Sequence, residues 1–150
     1  MTIDIPDLER FGHDEAWRLG RNLVEACRRN ALPVAVSVHL GAQRAFHAGL
    51  PGSSADNDRW AERKTRIVWH FGVSSLEVWQ RYVGADGDPL GFLAAFGLPA
   101  ADYFPAGGAV PIRVRGALVG VLAVSGMESN EDHDLAVAAL GELSREGAAE

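Results

Sequence analysis

The residue with the clearest chemical potential is Lys64, because it lies within an apolar stripe. A helix is predicted over Arg59–Phe71, ending at Gly72, and Lys64 falls near the centre of the face that also carries Trp60. Long charged side chains are seldom fully buried unless they are paired. Two interpretations stay open. The ammonium reaches solvent or a carboxylate of the protein, or it faces a pocket and binds a carboxylate or phosphate of a ligand.

Two consecutive glycines, Gly107 and Gly108, are the second candidate feature. They begin neither a G-x-G-x-x-G motif nor a phosphate-binding loop, so the sequence does not favour a nucleotide site. Glycine has no Cβ, which permits a tight backbone path and also lets a planar ligand approach closely. Gly120, inside an apolar strand, similarly indicates the close approach of another segment.

The five histidines do not predict a metal site built from local ligands. Two-residue closure of the predicted hairpin pairs Val36 with His47 and places His39 and His47 on opposite faces, although a slip of one residue would reverse this. The side chains of 132–134 fan around a helix, whereas ligand pairs on a helix prefer spacings of three or four. His133 is therefore predicted in a first helical turn, hydrogen-bonded or solvated.

Nucleophile motifs are missing, and no catalytic residue is predicted. Ser125 follows a strand but lies outside any G-x-S-x-G sequence. Cys27 falls on the apolar stripe of the first predicted helix, which indicates a core thiol and not a nucleophile.

Trp69 falls on the side of its helix opposite to Lys64, beside Glu62 and Arg66. A large indole on a charged face is typical of an interface, so we expect a second copy of the chain to bury it. The neighbouring arginines do not predict a nucleic-acid surface, because acidic residues interrupt them and the whole chain is acidic.

The elements that position these residues follow from hydrophobic periodicity and from capping signals. Helices are predicted over Asp14–Asn30, after Ser74 or Ser75, from Asp88-Pro89 to Gly97, and from a capping box of Ser129 and Asp132. The segments VAVSVHL and PIRVR alternate as strands do, and LVGVLAV is apolar on both faces, as a central strand covered on both sides would be. Hairpins favour an antiparallel sheet with helices packed on it, which is the α+β class.

Length, charge and cysteine content limit the function further. The 150 residues fit a single domain spanning 1–150, and the formal charge of −6 argues against a nucleic-acid partner. No apolar run approaches the roughly 20 residues that cross a bilayer, and the N-terminal sequence lacks an export signal. One cysteine excludes an intrachain disulfide and fits a reducing compartment, so a cytoplasmic location without membrane contact is expected.

Three motifs taken together resemble a known family. They are D-N-D-x-W-x-x-x-K at 56–64, G-G-x-x-P-I at 107–112, and S-G-x-x-x-x-E-D-H at 125–133. The combination is similar to the haem-degrading-domain-like family, in its cytosolic branch. That family also contains glycolate-operon accessory proteins and secreted haem-binding sensor proteins. Matching segments run from about Arg10 to Leu140.

The resemblance implies a profilin-like antiparallel sheet of about five strands, assembly into homodimers or larger rings, and a pocket that accepts haem or another tetrapyrrole in some members. The site residues carried over from these motifs are Trp60, Lys64, Gly107, Gly108, Pro111 and the pair Asp132 and His133. In the cytosolic branch a histidine commonly precedes the glycine pair. Ala106 stands there in this chain, so haem binding does not follow automatically.

Three functions compete at this point. The leading hypothesis is a non-catalytic, self-associating domain that binds a small anionic or planar ligand, with haem as the candidate cofactor. The second is an enzyme that degrades or modifies haem, and the third is a protein-interaction scaffold with a vestigial pocket. Addition of hemin to the purified protein separates the three.

Overall fold

The computed structural model describes residues 5–149 of the chain. Residues 1–4, which belong to the segment considered for an export signal, and residue 150 lie outside the described part. In chain order the elements are α1 His13–Arg29, β1 Ala35–Leu40, β2 Gln43–Gly49, α2 Ala55–Phe71, α3 Ser75–Tyr82, α4 Pro89–Ala95, β3 Ala109–Val114, β4 Ala117–Ser125 and α5 Ser129–Ala149.

The four strands form one antiparallel sheet in the order β2-β1-β4-β3. This confirms the α+β class and the interior position of the apolar segment LVGVLAV, which lies in β4. The expected count of about five strands was one too high for the described residues. Of the described residues before α1, Leu8 forms an isolated bridge with Val114 and no further strand is present.

Helices cover both faces of the sheet. On one face α1 and α5 pack against the largest core cluster, to which β1 contributes Val36 and Val38 and β4 contributes Leu122 and Val124. On the other face α2 packs against β3 and β4 through a smaller cluster that contains Val68. Burial of both faces explains why β4 lacks the alternation of a half-exposed strand.

The short helices α3 and α4 belong to a third cluster at the C-terminal end of α2. Its buried members are Ile67, Val78, Phe92 and Leu93. Partly buried aromatic side chains surround these residues, and the ring of Phe71 lies 5.7 Å from the ring of Phe92. The third cluster therefore forms beside the sheet and joins it through α2 and through the Ser75 hydroxyl of α3, which bonds the backbone of Ala109.

Local capping explains where the helices begin and end. The Ser74 hydroxyl accepts a hydrogen bond from the Glu77 N–H (3.1 Å), and Pro89 occupies the first turn of α4, as predicted. Gly72 ends α2 in the left-handed region with φ 75°, also as predicted. The start of α2 was missed by four residues, because the Asn57 side chain accepts from the Ser54 N–H (2.8 Å) and extends the helix to Ala55.

The β1–β2 hairpin corrects the prediction for the histidines. A bulge between Val38 and His39 shifts the register, so that His47 pairs with Ser37 and not with Val36. Ser37 and His39 share one face of β1, and His47 therefore lies on the same side as His39. The His47 Nε2 contacts Asp58 Oδ1 at 2.7 Å. Within residues 5–149 no group of three or more His, Cys, Asp or Glu side chains is arranged to hold a metal ion.

Two smaller findings complete the fold. Cys27 is fully buried and burial raises the pKa of its thiol, which confirms the prediction of a core thiol. Among the described residues, no helix combines the length and the apolar character that crossing a membrane requires.

Candidate functional site

Lys64 is buried with its ammonium group held by three other segments of the chain. The side chain is 2% exposed, and Nζ donates to the carbonyl oxygens of Gly107 (3.0 Å) and Val124 (2.6 Å). Nζ also lies 3.5 Å from Asp132 Oδ2. The protein itself therefore satisfies this cation, in agreement with the paired interpretation. A ligand anion could reach Nζ only by displacing one of these partners.

Asp132 is the acidic partner, and it is as well enclosed as the lysine. Its carboxylate accepts from the backbone N–H groups of Met127 (3.1 Å) and Gly126 (3.3 Å). Burial raises the pKa of Asp132 and lowers the pKa of Lys64, and in both cases the opposite charge of the partner opposes the shift. The sequence predicted a capping box with Ser129. Instead, Asp132 binds the loop before α5 and the lysine.

The glycine pair has a structural reason that the sequence alone did not reveal. Gly108 has φ 133°, a conformation that side chains other than glycine rarely adopt, and its carbonyl accepts from the Val124 N–H (2.9 Å). A Cβ on Gly108 would overlap the Lys64 Nζ and the Val124 carbonyl oxygen. Glycine at this position is what lets the lysine reach its partners.

A cleft of about 270 Å³ opens above this pair, and we call it the Trp60 cleft. It lies between the first turns of α2, the loop before β3 and the start of α5. Its lining residues are Asp56, Asn57, Trp60, Lys64, Ala106, Gly107, Ser125, Gly126, Met127, Ser129 and Asp132. Four of the seven residues carried over from the motifs, Trp60, Lys64, Gly107 and Asp132, thus line one cleft, and Gly108 contacts the lysine beneath it.

The other two predicted residues lie outside this lining. Pro111 is in the edge strand β3, opposite Val121, where a residue without an N–H donor is tolerated. His133 is 4% exposed, and its Nδ1 has no hydrogen-bond partner among the described residues. Burial lowers the pKa of His133. A role for these two residues in ligand binding stays a prediction.

The position of Trp60 is set by its neighbours. Its indole packs edge-on against Phe104, with ring centroids 5.1 Å apart, and the Arg63 guanidinium lies 4.5 Å from its ring centroid. Arg63 in turn donates from Nε and Nη2 to the Ala100 carbonyl, at 3.0 and 2.7 Å. The arginine therefore anchors the loop after α4 and fixes one wall of the cleft.

Several residues of the cleft were missed by sequence reasoning. Met127 and Ser129 line it because the turn after β4 folds back towards α2, and Asn57 lines it because α2 begins early. Motif spacing offers no signal for such long-range proximity. The motifs that begin with D-N-D and with S-G did identify the two segments of chain that meet at the cleft. They did not predict which of their side chains face each other.

A second concave surface lies on the other flank of α2, and we call it the Trp69 cleft. Its volume is about 460 Å³, and it is lined by His39, Gly41, Ala42, Glu62, Thr65, Arg66 and Trp69. The side chain of Trp69 is 37% exposed, which confirms that it points away from the core. Two buried atoms here, His39 Nδ1 and Thr65 Oγ1, have no hydrogen-bond partner among the described residues.

The fold and the Trp60 cleft define an α+β domain with one four-stranded sheet, a buried lysine–aspartate pair and a small polar cleft. Residues 11–141 match the family described as haem degrading protein HbpS-like, and the chain belongs to that family. This confirms the resemblance seen in the three motifs.

Relatives and solved structures agree with this assignment. The chain is 46% identical to a UPF0303 protein of Streptomyces avermitilis over 134 residues, covering 89% of this chain and 80% of the relative. It is 37% identical to a UPF0303 protein of Rhizobium johnstonii over 153 residues, covering 93% and 91%.

Among solved structures, Ybr137w protein superposes with a TM-score of 0.82 at 29% identity, covering 93% of this chain and 82% of that one. A complex of PduOC with haem superposes with a TM-score of 0.72 at 20% identity, covering 87% and 93%, and so shares the fold.

Proposed function

We propose that this chain is a non-catalytic, self-associating cytoplasmic domain that binds a small anionic or planar ligand in the Trp60 cleft, with haem as the candidate. The observation that carries the proposal is the convergence of Trp60, Lys64 and Gly107 on one cleft. Membership of a haem-related family and the shared fold with a haem complex support the choice of ligand.

Two helix N-termini at the cleft support an anionic ligand, against a lining that carries two carboxylates and one ammonium group. The charges of Lys64 and Asp132 balance each other beneath the floor, and α2 and α5 both begin at its rim. The N-terminal end of a helix carries a partial positive charge, so two such ends attract a carboxylate or phosphate. Asp56 is the opposing charge on the rim, and it disfavours an anion on that side.

The residues present fit haem in part. A thioether is an accepted axial ligand of haem iron, and the Met127 side chain is the iron donor that the lining offers in place of the histidine replaced by Ala106. The cleft of about 270 Å³ is smaller than the roughly 300–1,000 Å³ of typical ligand pockets. It would therefore hold one edge of a tetrapyrrole and leave the rest exposed.

Hemin titration tests the proposal, with the absorption spectrum as the measurement. We expect a sharp, shifted Soret band in the wild type, and a different band position in Met127→Leu if the thioether binds iron. Trp60→Leu should weaken binding about two- to tenfold, because an aromatic contact contributes roughly 0.5–1.5 kcal/mol. The matched control is Trp17→Leu, which alters a 58% exposed indole on α1, on the opposite face of the sheet.

The two competing functions give different outcomes in the same experiment. Decay of the Soret band after addition of a reductant in air would favour a haem-degrading enzyme, the activity that the family description names. An unchanged hemin spectrum, together with no heat of binding from simple dicarboxylates, would favour a scaffold with a vestigial pocket.

A further inference from the structure

The outer face of α2 carries a regular stripe of charged and aromatic side chains. Arg59, Glu62, Arg66 and Trp69 follow one another at spacings of three, four and three residues, and all four are exposed. Residues at these spacings lie on one side of a helix. We call them the α2 outer stripe. It faces away from Lys64 and is independent of the Trp60 cleft.

The order of residue types in this stripe makes it complementary to itself. Two such helices can pack antiparallel with the twofold axis midway between Glu62 and Arg66. Glu62 then faces Arg66 of the partner subunit, and Arg59 faces the partner's Trp69. The twofold axis repeats both contacts, which gives two ion pairs and two cation–π pairs. A shift by one helical turn would instead place like charges opposite each other.

We propose that the α2 outer stripe is an isologous interface that joins two copies of this chain. This inference rests on the self-association in the proposed function and names the surface that produces it. Trp and Arg are the residue types that contribute most to binding energy at protein interfaces, and the stripe contains both.

The side-chain contacts leave the stripe available for a partner. Glu62 and Arg66 are four residues apart, a spacing that commonly gives an ion pair within a helix. Here the Arg66 guanidinium donates to the Asp102 carbonyl (3.1 Å), and Glu62 has no ion pair within 4 Å among residues 5–149. Arg59 makes only a long contact with the Ala101 carbonyl (3.4 Å). The loop after α4 thus holds both arginines in place, while the Glu62 carboxylate forms no ion pair within the described part of the chain.

A charge-exchange experiment tests this arrangement on the full chain without added hemin. Glu62→Arg and Arg66→Glu each set like charges opposite each other, and each should weaken self-association at least tenfold, seen as smaller species in sedimentation at several concentrations. The double variant Glu62→Arg/Arg66→Glu restores opposite charges across the twofold axis and should recover the wild-type mass. Circular dichroism on the same samples verifies folding.

The matched controls are Glu77→Arg, Arg81→Glu and their double variant, because that pair has the same spacing on α3 and bonds within the chain (2.8 Å). None of them should change the mass. A monomeric wild type, single stripe variants that keep the wild-type mass, or a double variant that fails to recover would each overturn the interface. Trp69→Ser gives a separate measure, since it should weaken association without changing charge.

The two proposals fail separately. Loss of the Soret shift with an intact charge-exchange pattern would overturn haem binding alone. A retained Soret shift in a wild type that self-associates without following the charge-exchange pattern would overturn the stripe alone, whereas a monomeric wild type would overturn self-association and the stripe together.

Discussion

At the scale of single residues, burial explains more of this molecule than any motif does. Lys64 and Asp132 are both almost fully enclosed, and His133, the neighbour of Asp132, is 4% exposed with an unpartnered Nδ1. The charged form of an imidazole loses hydration in such a place, so burial lowers the pKa of His133 below its ordinary value of 6.5. The nearby Asp134 acts in the opposite direction and is the weaker influence.

This lowered pKa predicts a loss of stability in mild acid. Below about pH 6.5 the unfolded chain binds a proton at His133 that the folded chain does not, so stability present above that pH is lost as the pH falls. His133→Leu should reduce this loss, by up to about 1.4 kcal/mol per pH unit, in urea unfolding between pH 7 and 5. Burial also lowers the pKa of His39, so the His133→Leu variant should keep part of the pH dependence of stability.

The exposed His70 provides the control, because His70→Leu alters a ring outside the core. If His133→Leu and wild type show the same pH dependence, the buried imidazole is not the group that titrates.

At the scale of elements, the Lys64–Asp132 pair connects parts of the chain that are far apart in sequence. Lys64 belongs to α2, its carbonyl partners lie before β3 and near the end of β4, and Asp132 lies in the first turn of α5. The pair therefore lies where β3 begins and β4 ends, and the Trp60 cleft opens at this end of the sheet. On the sequence alone, Lys64→Met is expected to fold normally, because methionine retains most of the stem.

The structure changes that expectation. Lys64→Met leaves Asp132 buried without its cation and two carbonyl oxygens without their donor, so it should destabilise the fold by about 3–5 kcal/mol in urea unfolding. Lys64→Met/Asp132→Asn should recover part of this loss, because asparagine still accepts from the N–H groups of Gly126 and Met127. The exposed Glu77–Arg81 pair is the reference, and Arg81→Met should cost less than about 1 kcal/mol. A small effect of Lys64→Met would show that the enclosed charge contributes little.

Local signals predicted the elements well, and long-range contacts were harder. Ser74, Pro89 and Gly72 act on their own neighbours, so their sequence positions were sufficient to predict helix ends. The bulge after Val38 has no comparable sequence signal. Its register shift places His47 on the same face of the hairpin as His39, contrary to the prediction. The lining of the Trp60 cleft depends on how α2, the Gly107 loop and α5 meet, so spacing alone could give only part of it.

At the scale of the whole molecule, the described chain contains the core around the sheet and the third cluster, which is largely aromatic and includes α3 and α4. The two clusters on the faces of the sheet contain residues from β1, β3 and β4 together with three helices. The third cluster packs against α2, the exposed rings of Tyr82 and Phe96 lie beside it, and Leu90 is exposed on α4. The Ser75 hydroxyl also bonds the backbone of Ala109 in β3, so opening of this part breaks that contact and leaves the ladders between the strands intact.

Native-state hydrogen exchange should therefore show two levels of protection. We expect the amides of α3 and α4 to exchange through a local opening of lower free energy than the amides of β1 and β4, which should require global unfolding. Leu93→Ala removes a side chain that is 1% exposed in the third cluster. That side chain loses its packing in both the local opening and global unfolding, so the variant should lower protection in α3, α4 and β4 alike, by about 2–5 kcal/mol. The matched variant Leu122→Ala, fully buried between the sheet and its helices, should lower protection of β4 but leave α3 and α4 nearly unchanged, because Leu122 stays packed while α3 and α4 open. Equal loss of protection in α3 and β4 after Leu122→Ala would instead show that the two parts unfold as a single cooperative unit.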